Sequence, residues 1–490
     1  MSRGYATLAS VTDADSSTPA GAPAALVGPA FTADDLARLS GGRLLARSDR
    51  PIRGAAVDSR AVVPGNLFVA LPGERTDGHA HLPDAIRRGA TACIVTRPPA
   101  DASELGDVTV MRVVDGVAAL GAIAAGWRRR FDLLVVGITG SIAKTSTKEA
   151  VAAVLGTTWR TLRSEGNQNN EIGLPLTVLR LGPEHGAAVL EMGMYRGGDI
   201  ADLAEIGRPS IGVVTAVQPV HLSRIGSLEA VERAKGELLE ALPGNGTAVL
   251  NEDDPIVARM QGRTVARVLR YGFADTADVR ADGVVSDGLA GMHFRLRTPI
   301  GERAVHIPNL GRLSVHNALA AAAVGIAASV PLDAIAAGLA GGWGAPHRAE
   351  VVRLRGATVI DDTYNASPGS VLAALDLLAG IPGRRVAVLG EMLELGQEHE
   401  AGHRAVGEAA AAVVELLIVV GHDARGIIAG ATGAGLDPAR MLHVADAETA
   451  LDALRPRLRD DDVVLVKASR GIELDRVVDG LRLELGEVAR

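Results

Sequence analysis

The chemistry of this chain is concentrated between Val135 and Glu149, which read Val-Val-Gly-Ile-Thr-Gly-Ser-Ile-Ala-Lys-Thr-Ser-Thr-Lys-Glu. An apolar run, Leu133 to Val136, ends in the glycine-spaced loop Gly137-Ile138-Thr139-Gly140-Ser141. Lys144-Thr145-Ser146 then opens a helix-friendly segment. This spacing builds a phosphate-binding loop. Backbone N–H groups at a helix start face phosphate oxygens, the lysine neutralises β/γ charge, and the threonine hydroxyl can hold Mg²⁺. The loop predicts a nucleoside triphosphate as substrate. Ala143 stands before the lysine, where such loops normally carry glycine. Its methyl costs little on right-handed backbone and ~1 kcal/mol or more where φ is positive.

Other residues able to join such a site stand near the ends of apolar runs. Ala188-Val189-Leu190 closes in Glu191. In a parallel sheet strand ends face one crevice, so Glu191 is a candidate ligand for the metal beside Thr145. His221 follows the run Ile211 to Ala216 and is a candidate for a metal or phosphate role. Lys235 lies on the amphipathic stretch Glu229 to Glu237 and by spacing alone reads as a solvated helix lysine. Asp361-Asp362-Thr363-Tyr364-Asn365 ends a later run, where paired carboxylates can bind ribose hydroxyls or a metal. Pro346-His347-Arg348 sits at a joint between segments, and an arginine there could swing onto a transferring phosphate.

The elements that must position these residues are legible as an α/β rhythm. At 490 residues the chain is too long for one core, and roughly two to four domains are expected. Residues 1–29, rich in Ala, Ser, Pro and Gly, read as a disordered tail without the cationic start and apolar core of a secretion signal. A small α/β unit spans 30–114, with Thr32 as the cap of its first helix and strands at Asn66–Leu71 and Ala92–Val95. The nucleotide domain spans 115–345. Its strands, Leu133–Thr139, Ala188–Glu191, Ile211–Ala216 and Ala248–Asn251, alternate with helical patterns such as Leu228–Leu242, which predicts a mostly parallel sheet. A β-rich insertion occupies roughly Val265 to Pro308. The βα rhythm returns over 346–490 as a second doubly wound domain, with strands at Thr358–Asp361, Arg385–Leu389, Leu417–Val420, Leu442–Val444 and Val463–Lys467.

Composition narrows the function classes. Hydrophobic content of 47% with 22% charge describes a soluble globular protein. A net charge of -8 and only 2% aromatic residues argue against a nucleic-acid surface. The single cysteine, Cys93, lies in an apolar run and reads as a buried residue of a reducing compartment. No window is long and apolar enough to span a bilayer, and a cytoplasmic location is expected.

At this point the chain resembles the Mur ligase family from about Phe31 onward. The resemblance rests on the phosphate loop, Glu191-Met192-Gly193, His221-Leu222, Ala234-Lys235-Gly236-Glu237, His316-Asn317-Ala318-Leu319-Ala320 and Arg348. Further segments are similar to the branch that joins D-alanyl-D-alanine to UDP-N-acetylmuramoyl-tripeptide. These include Asp58-Ser59-Arg60, Asp77-Gly78-His79, Asn167 to Gly173, Asp361 to Pro368, Leu389 to Gly396 and Lys467-Ala468-Ser469-Arg470. The resemblance implies three domains: UDP-substrate-binding, P-loop ATPase and Rossmann-like ligase. It implies ATP, two Mg²⁺ ions and a monomer. Lys144 would contact β/γ-phosphate, Thr145 and Glu191 would bind Mg²⁺, and His221 would help place a second Mg²⁺. Lys235 matches a lysine that some members carry as a carbamate. Asn317 would contact adenine, Asp362 ribose and Arg348 the γ-phosphate. Ser59, Arg60, Asp77, His79 and Asn169 would serve the UDP substrate, and Asn365, Ser469 and Arg470 the incoming dipeptide.

Ala143, Ser367 and Ala468 depart from the family pattern, where glycine, asparagine and glycine are usual. Two other readings therefore stand beside the main one. One is a family paralogue that joins a different acid and amine. The other is a nucleotide-binding regulator with a weakened loop.

Overall fold

Two wholly buried runs, Leu67–Val69 and Ala92–Val95, form the middle of a five-stranded sheet near the start of the chain. Strands apolar on both faces need cover on both faces, which a parallel βα arrangement supplies. The order is Arg43–Ala46, Thr109–Arg112, Ala92–Val95, Leu67–Val69, Ala55–Ala56, with only the first pair antiparallel. Cys93 lies fully buried in this sheet as a free thiol, and burial pushes it up to about 12.

The computed structural model describes residues 29–73, 76–99, 105–218 and 226–488. The expected disordered tail therefore lies, except for its last residue, outside the described residues, and His221 lies outside them too. The chain divides into two compact units. One holds the residues up to Gly137 together with Trp159–Ser210, and the other holds Ile138–Thr158 and the chain from Ile211 onward.

In the first unit, Thr32 caps the helix Ala33–Ser40 in a reciprocal capping box with Asp35. Trp127, on the helix Gly116–Arg128, stacks on Phe31 at 4.6 Å, and the Arg130 guanidinium covers the Phe31 ring. Strands Thr161–Arg163 and Ala187–Glu191 pair in parallel later in this unit.

The second unit opens with the end of the strand Leu134–Thr139 and the helix Lys144–Leu155. That helix packs against Gly311–Ala327, whose buried run Ala320 to Ala323 lets the two backbones approach closely. Strands Ile211–Val214, Thr247–Asn251, Arg267–Gly272 and Val279–Ser286 run parallel in that order. Met292–Thr298 and Gly301–Ile307 continue as an antiparallel meander, the β-rich insertion expected near Val265 to Pro308.

The C-terminal sheet of this unit has six strands: Glu350–Leu354, Ala357–Asp361, Asp462–Lys467, Arg385–Gly390, Leu416–Val420 and Met441–Val444. Only the edge strand Glu350–Leu354 is antiparallel. Period-two alternation gives the sheet a core on each side. Ile360, Ala387, Leu389, Leu417 and Leu465 enter one apolar cluster; Val359, Val386, Val388, Ile418 and Val464 enter the other. In register, Asp361 is opposite Val466 and Leu389 is opposite Lys467, so Asp361-Asp362 and Lys467-Ala468 leave the sheet at the same carboxyl edge. That edge is where ligands bind in doubly wound sheets. Among the described residues, no helix is long and apolar enough to cross a membrane.

Candidate functional site

The phosphate loop folds as its spacing predicts, and its shape depends on partners distant in sequence. Lys144 begins the helix, and its Nζ donates to the Gly140 carbonyl at 2.8 Å. Ser141 N–H donates to the Ala216 carbonyl at 2.8 Å, and its hydroxyl exchanges bonds with the Gln218 backbone at 2.9 and 3.0 Å. Thr215 Oγ1 donates to the Ile142 carbonyl at 2.6 Å. A Cβ on Gly140 would collide with that same hydroxyl, so glycine is required there by close approach. Asp254 accepts from Val217 N–H at 2.9 Å while capping the helix Pro255–Arg259, which fixes the segment that grips the loop.

Ala143 has φ 64°. The strained alternative for its methyl is therefore the one realised, at ~1 kcal/mol or more. Its carbonyl still accepts the first helical bond, from Thr147 N–H at 2.8 Å.

Lys235 corrects its sequence reading. It is not solvated but 2% exposed on the helix Leu228–Glu240. Amphipathic spacing cannot tell a solvated face from one facing a second polar interior. Burial, with the Lys144 charge second, holds its amine well below the usual lysine range. Asn317, also buried, accepts from Thr147 Oγ1 at 3.1 Å, which ties the loop helix to the segment expected at adenine.

Beside Asn317 lies a group that sequence reasoning did not assemble. His316 bonds Asp253 through Nε2 at 3.0 Å and meets the rings of Tyr271 and Phe273 edge-on or tilted. Arg312 lies over Phe273 at 4.3 Å. Burial opposes ionisation of Asp253, but bonds from His316 and the Phe273 and Ala274 amides outweigh it and hold the carboxyl below its usual range. Aromatic residues are sparse in this chain, so Tyr271 and Phe273, two positions apart, were the part of this group that composition marked.

At the C-terminal sheet edge the paired carboxylates have separate fates. Asp361 is buried, accepting from Thr363 and bonded to His347 Nδ1 at 2.8 Å. The Asp361 partner holds His347 above the ordinary histidine value. Asp362 instead pairs with the buried Lys467 at 2.7 Å. Arg348 stacks over Tyr364 at 4.0 Å, and its buried Nε has no hydrogen-bond partner among the described residues. Asn365 is exposed, its carbonyl held by Lys467 at 2.9 Å.

The two departures in this domain have local explanations. Ser367 caps the helix Pro368–Ala379 in a box with Ser370. Ala468 is buried against Gly390, where a second methyl would not fit. Ser469 is also buried and engaged: its Oγ accepts from Leu393 N–H at 2.9 Å. Arg470 pairs with Asp475 at 3.0 Å.

In the first unit, Glu191 and Asn169 come together. Asn169 Nδ2 donates to Glu191 Oε1 at 2.8 Å, and Glu191 N–H donates to Ser164 at 3.2 Å. The carboxylate is 2% exposed and its Oε2 has no partner among the described residues. A buried carboxylate oxygen left open is costly unless a cation takes it, so the residue fits a Mg²⁺ ligand. His79 gives Nδ1–H to Asp77 at 2.6 Å and accepts Thr96 N–H at Nε2 at 3.0 Å, so both ring nitrogens are engaged. Arg60 is paired with Asp58, and Ser59 is buried in the turn that follows it.

Comparison with known proteins covers nearly all of this. Residues 51–128 match the Mur ligase family catalytic domain, 138–325 the Mur ligase middle domain, and 347–470 the Mur ligase glutamate ligase domain. The UDP-N-acetylmuramoyl-tripeptide–D-alanyl-D-alanine ligase of Mycobacterium tuberculosis is 41% identical over 468 residues, covering 86% of this chain and 91% of that one. The enzyme of the same name from Escherichia coli is 38% identical, covering 89% and 95%. Crystal structures of MurF superpose well. That from Acinetobacter baumannii gives a TM-score of 0.84 at 29% identity over 93% of this chain and 99% of that one. That from Thermotoga maritima, in complex with ADP, gives 0.77 at 29% identity over 88% and 98%.

Proposed function

This chain belongs to the Mur ligase family, and from that premise we propose the reaction and the part each residue plays. It is an ATP-dependent, ADP-forming peptide ligase of the three-domain Mur fold. It adds D-alanyl-D-alanine to UDP-N-acetylmuramoyl-tripeptide in peptidoglycan synthesis. The observation that carries this is the near full-length match to ligases of that name. Residues 30–114 serve the UDP substrate, 115–345 ATP and 346–490 the dipeptide, and the enzyme works in the cytoplasm.

A carboxylate is a poor electrophile, because its charge is delocalised and its oxygen leaves badly. The tripeptide carboxylate oxygen attacks the γ-phosphorus, and ADP leaves with the electrons of the broken P–O bond. The dipeptide amine then attacks the acyl carbon, inorganic phosphate leaves, and the amine loses a proton. Lys144, at the helix start, neutralises charge on the β/γ-phosphates, and Arg348 takes γ-phosphoryl charge as it develops. The open Nε of Arg348 supports that role, since it awaits an acceptor. Asn317 reads adenine and Asp362 the ribose. Mg²⁺, when bound, screens phosphate charge and polarises the γ-phosphoryl. The open oxygen of Glu191 supports it as a ligand, with Thr145 and His221 as the other family positions. Lys235, buried and with its amine held well below the usual lysine range, is suited to capture CO₂ as a carbamate, which would turn an amine into an anionic metal ligand.

The test is phosphate release from ATP with the UDP-tripeptide, with and without D-alanyl-D-alanine and against a panel of single amino acids. Release that needs both partners, with a pentapeptide product by mass, is the expected result. Turnover only with another amine would move the chain to a paralogue. Lys144→Ala should abolish most of the release, and ample turnover by that variant would defeat its assignment.

A further inference from the structure

We propose that Asp287, His293 and His306 form a site for a divalent transition-metal ion of the zinc class, separate from the nucleotide loop. Strands Met292–Thr298 and Gly301–Ile307 set His293 directly opposite His306. Alternation buries Phe294 and Leu296 on one face and leaves His293 on the other, where the two imidazoles lie 4.4 Å apart. Asp287 enters from a third segment, the turn that follows Val279–Ser286, and its carboxylate pairs with His293 Nδ1. Gly291 allows that approach. Its φ is 119°, and a Cβ there would collide with the Ile307 carbonyl. The Asp287 N–H closes the turn onto the Gly291 carbonyl at 3.0 Å.

One ligand atom from each of the three residues lies within 4.8 Å of the others. Ligand atoms around zinc at ~2.1 Å stand ~3–4 Å apart, so small side-chain rotations close the set on an ion. His306 carries a second mark of a metal ligand. Its Nε2 lies 3.0 Å from the Ala290 carbonyl, which can only accept. A neutral ring bonded in this way carries its proton on Nε2 and its lone pair on Nδ1. Ligating histidines are held this way, by their other N–H on a carbonyl or carboxylate. Two imidazole nitrogens with one carboxylate oxygen favour zinc, nickel, cobalt or copper over magnesium. Leu289, in the same turn as Asp287, packs against an apolar cluster of the C-terminal sheet. An ion at this site would fix the turn to the hairpin and stiffen the segment that reaches that sheet.

The experiment is a zinc titration of the untagged full-length enzyme in excess Mg²⁺, by competition with a chromogenic chelator, with the absorption spectrum of the cobalt form alongside. One zinc equivalent is expected. His306→Gln and His293→Gln should each weaken it by at least ~10–100-fold, the range seen on losing even an outer partner of a ligand. Asp287→Asn should weaken it too, and His422→Gln, at another exposed histidine, should not. Melting curves in chelator show that each variant is folded, and zinc should raise the melting temperature of the wild type alone among Asp287→Asn, His293→Gln and His306→Gln. The proposal is overturned if the wild type binds no zinc equivalent, or if the folded histidine variants bind it as the wild type does.

Discussion

Lys467 Nζ stands 2.7 Å from Asp362 Oδ2 and 2.9 Å from the Asn365 carbonyl, on a side chain 2% exposed. One buried cation thus ties the proposed ribose ligand to the proposed dipeptide segment. Burial outweighs the Asp362 charge and lowers the lysine below its usual range, so the pair is held against a desolvation cost. Lys467→Met removes the cation and leaves Asp362 without it, a loss worth ~3–5 kcal/mol in comparable buried pairs. The Michaelis constants for ATP and for the dipeptide should both rise, by roughly 5- to 15-fold if a third of that loss reaches binding. Initial rates against each substrate decide it. A variant with lower melting temperature but both constants unchanged would make Lys467 purely structural.

Ala143→Gly should stabilise the protein by ~1 kcal/mol, because glycine adopts φ 64° without the methyl's strain. The loop is gripped through Ser141, Ile142 and the Thr147–Ala143 bond, so the strain belongs to the folded loop rather than to nucleotide binding. The Michaelis constant for ATP should therefore move by less than about twofold, well under the tenfold that ~1.4 kcal/mol would give. Chemical denaturation and ATP kinetics on the same variant separate the two effects. A tenfold gain in ATP affinity would show that the strain is imposed on binding.

The contrast between these two sites marks what the sequence could carry. The phosphate loop was legible because its chemistry is local: strand, glycines, lysine and helix are contiguous. Strand positions were legible for the same reason, with Ala92–Val95 expected and found, and Val463–Lys467 found one residue longer. Lys235 was misread because helical periodicity reports one neighbouring surface and not its polarity. The Lys467–Asp362 pair, the His316–Asp253 group and the Asp254 brace each join residues far apart in the chain. No spacing rule brings such partners together; sheet register does.

The His347–Asp361 pair should make stability depend on pH in a defined window. Bonding to Asp361 raises His347 above 6.5, so its contribution is full below 6.5 and is lost as pH rises through the raised folded value. For Asp361, burial works against ionisation, but His347 and Thr363 hold the carboxyl below 3.8. Its contribution is present above 3.8 and is lost as pH falls through the lowered folded value. The pair therefore stabilises most between 3.8 and 6.5. His347→Asn removes the imidazole while keeping a residue that tolerates φ 59°. The melting-temperature difference between wild type and this variant should be largest between 3.8 and 6.5 and shrink as pH rises above 6.5 through the raised His347 value. A difference that stays flat across that range would mean that the pair makes no ionic contribution.

Glu191 offers the last test, since one of its oxygens is bonded and the other open. Asn169 occupies Oε1 at 2.8 Å, and the buried Oε2 has no partner among the described residues. Glu191→Gln keeps the shape but replaces an anionic ligand with a neutral amide, which binds Mg²⁺ poorly. The Mg²⁺ concentration for half-maximal rate should rise by ~10-fold or more, the scale of even an outer-sphere defect. Asn169→Ala should raise it less, because it frees the carboxylate's orientation without removing its charge. Rates across a Mg²⁺ series at saturating ATP give both numbers. If Glu191→Gln loses rate with an unchanged Mg²⁺ midpoint, the open oxygen serves the fold or a substrate group, and the metal is held elsewhere.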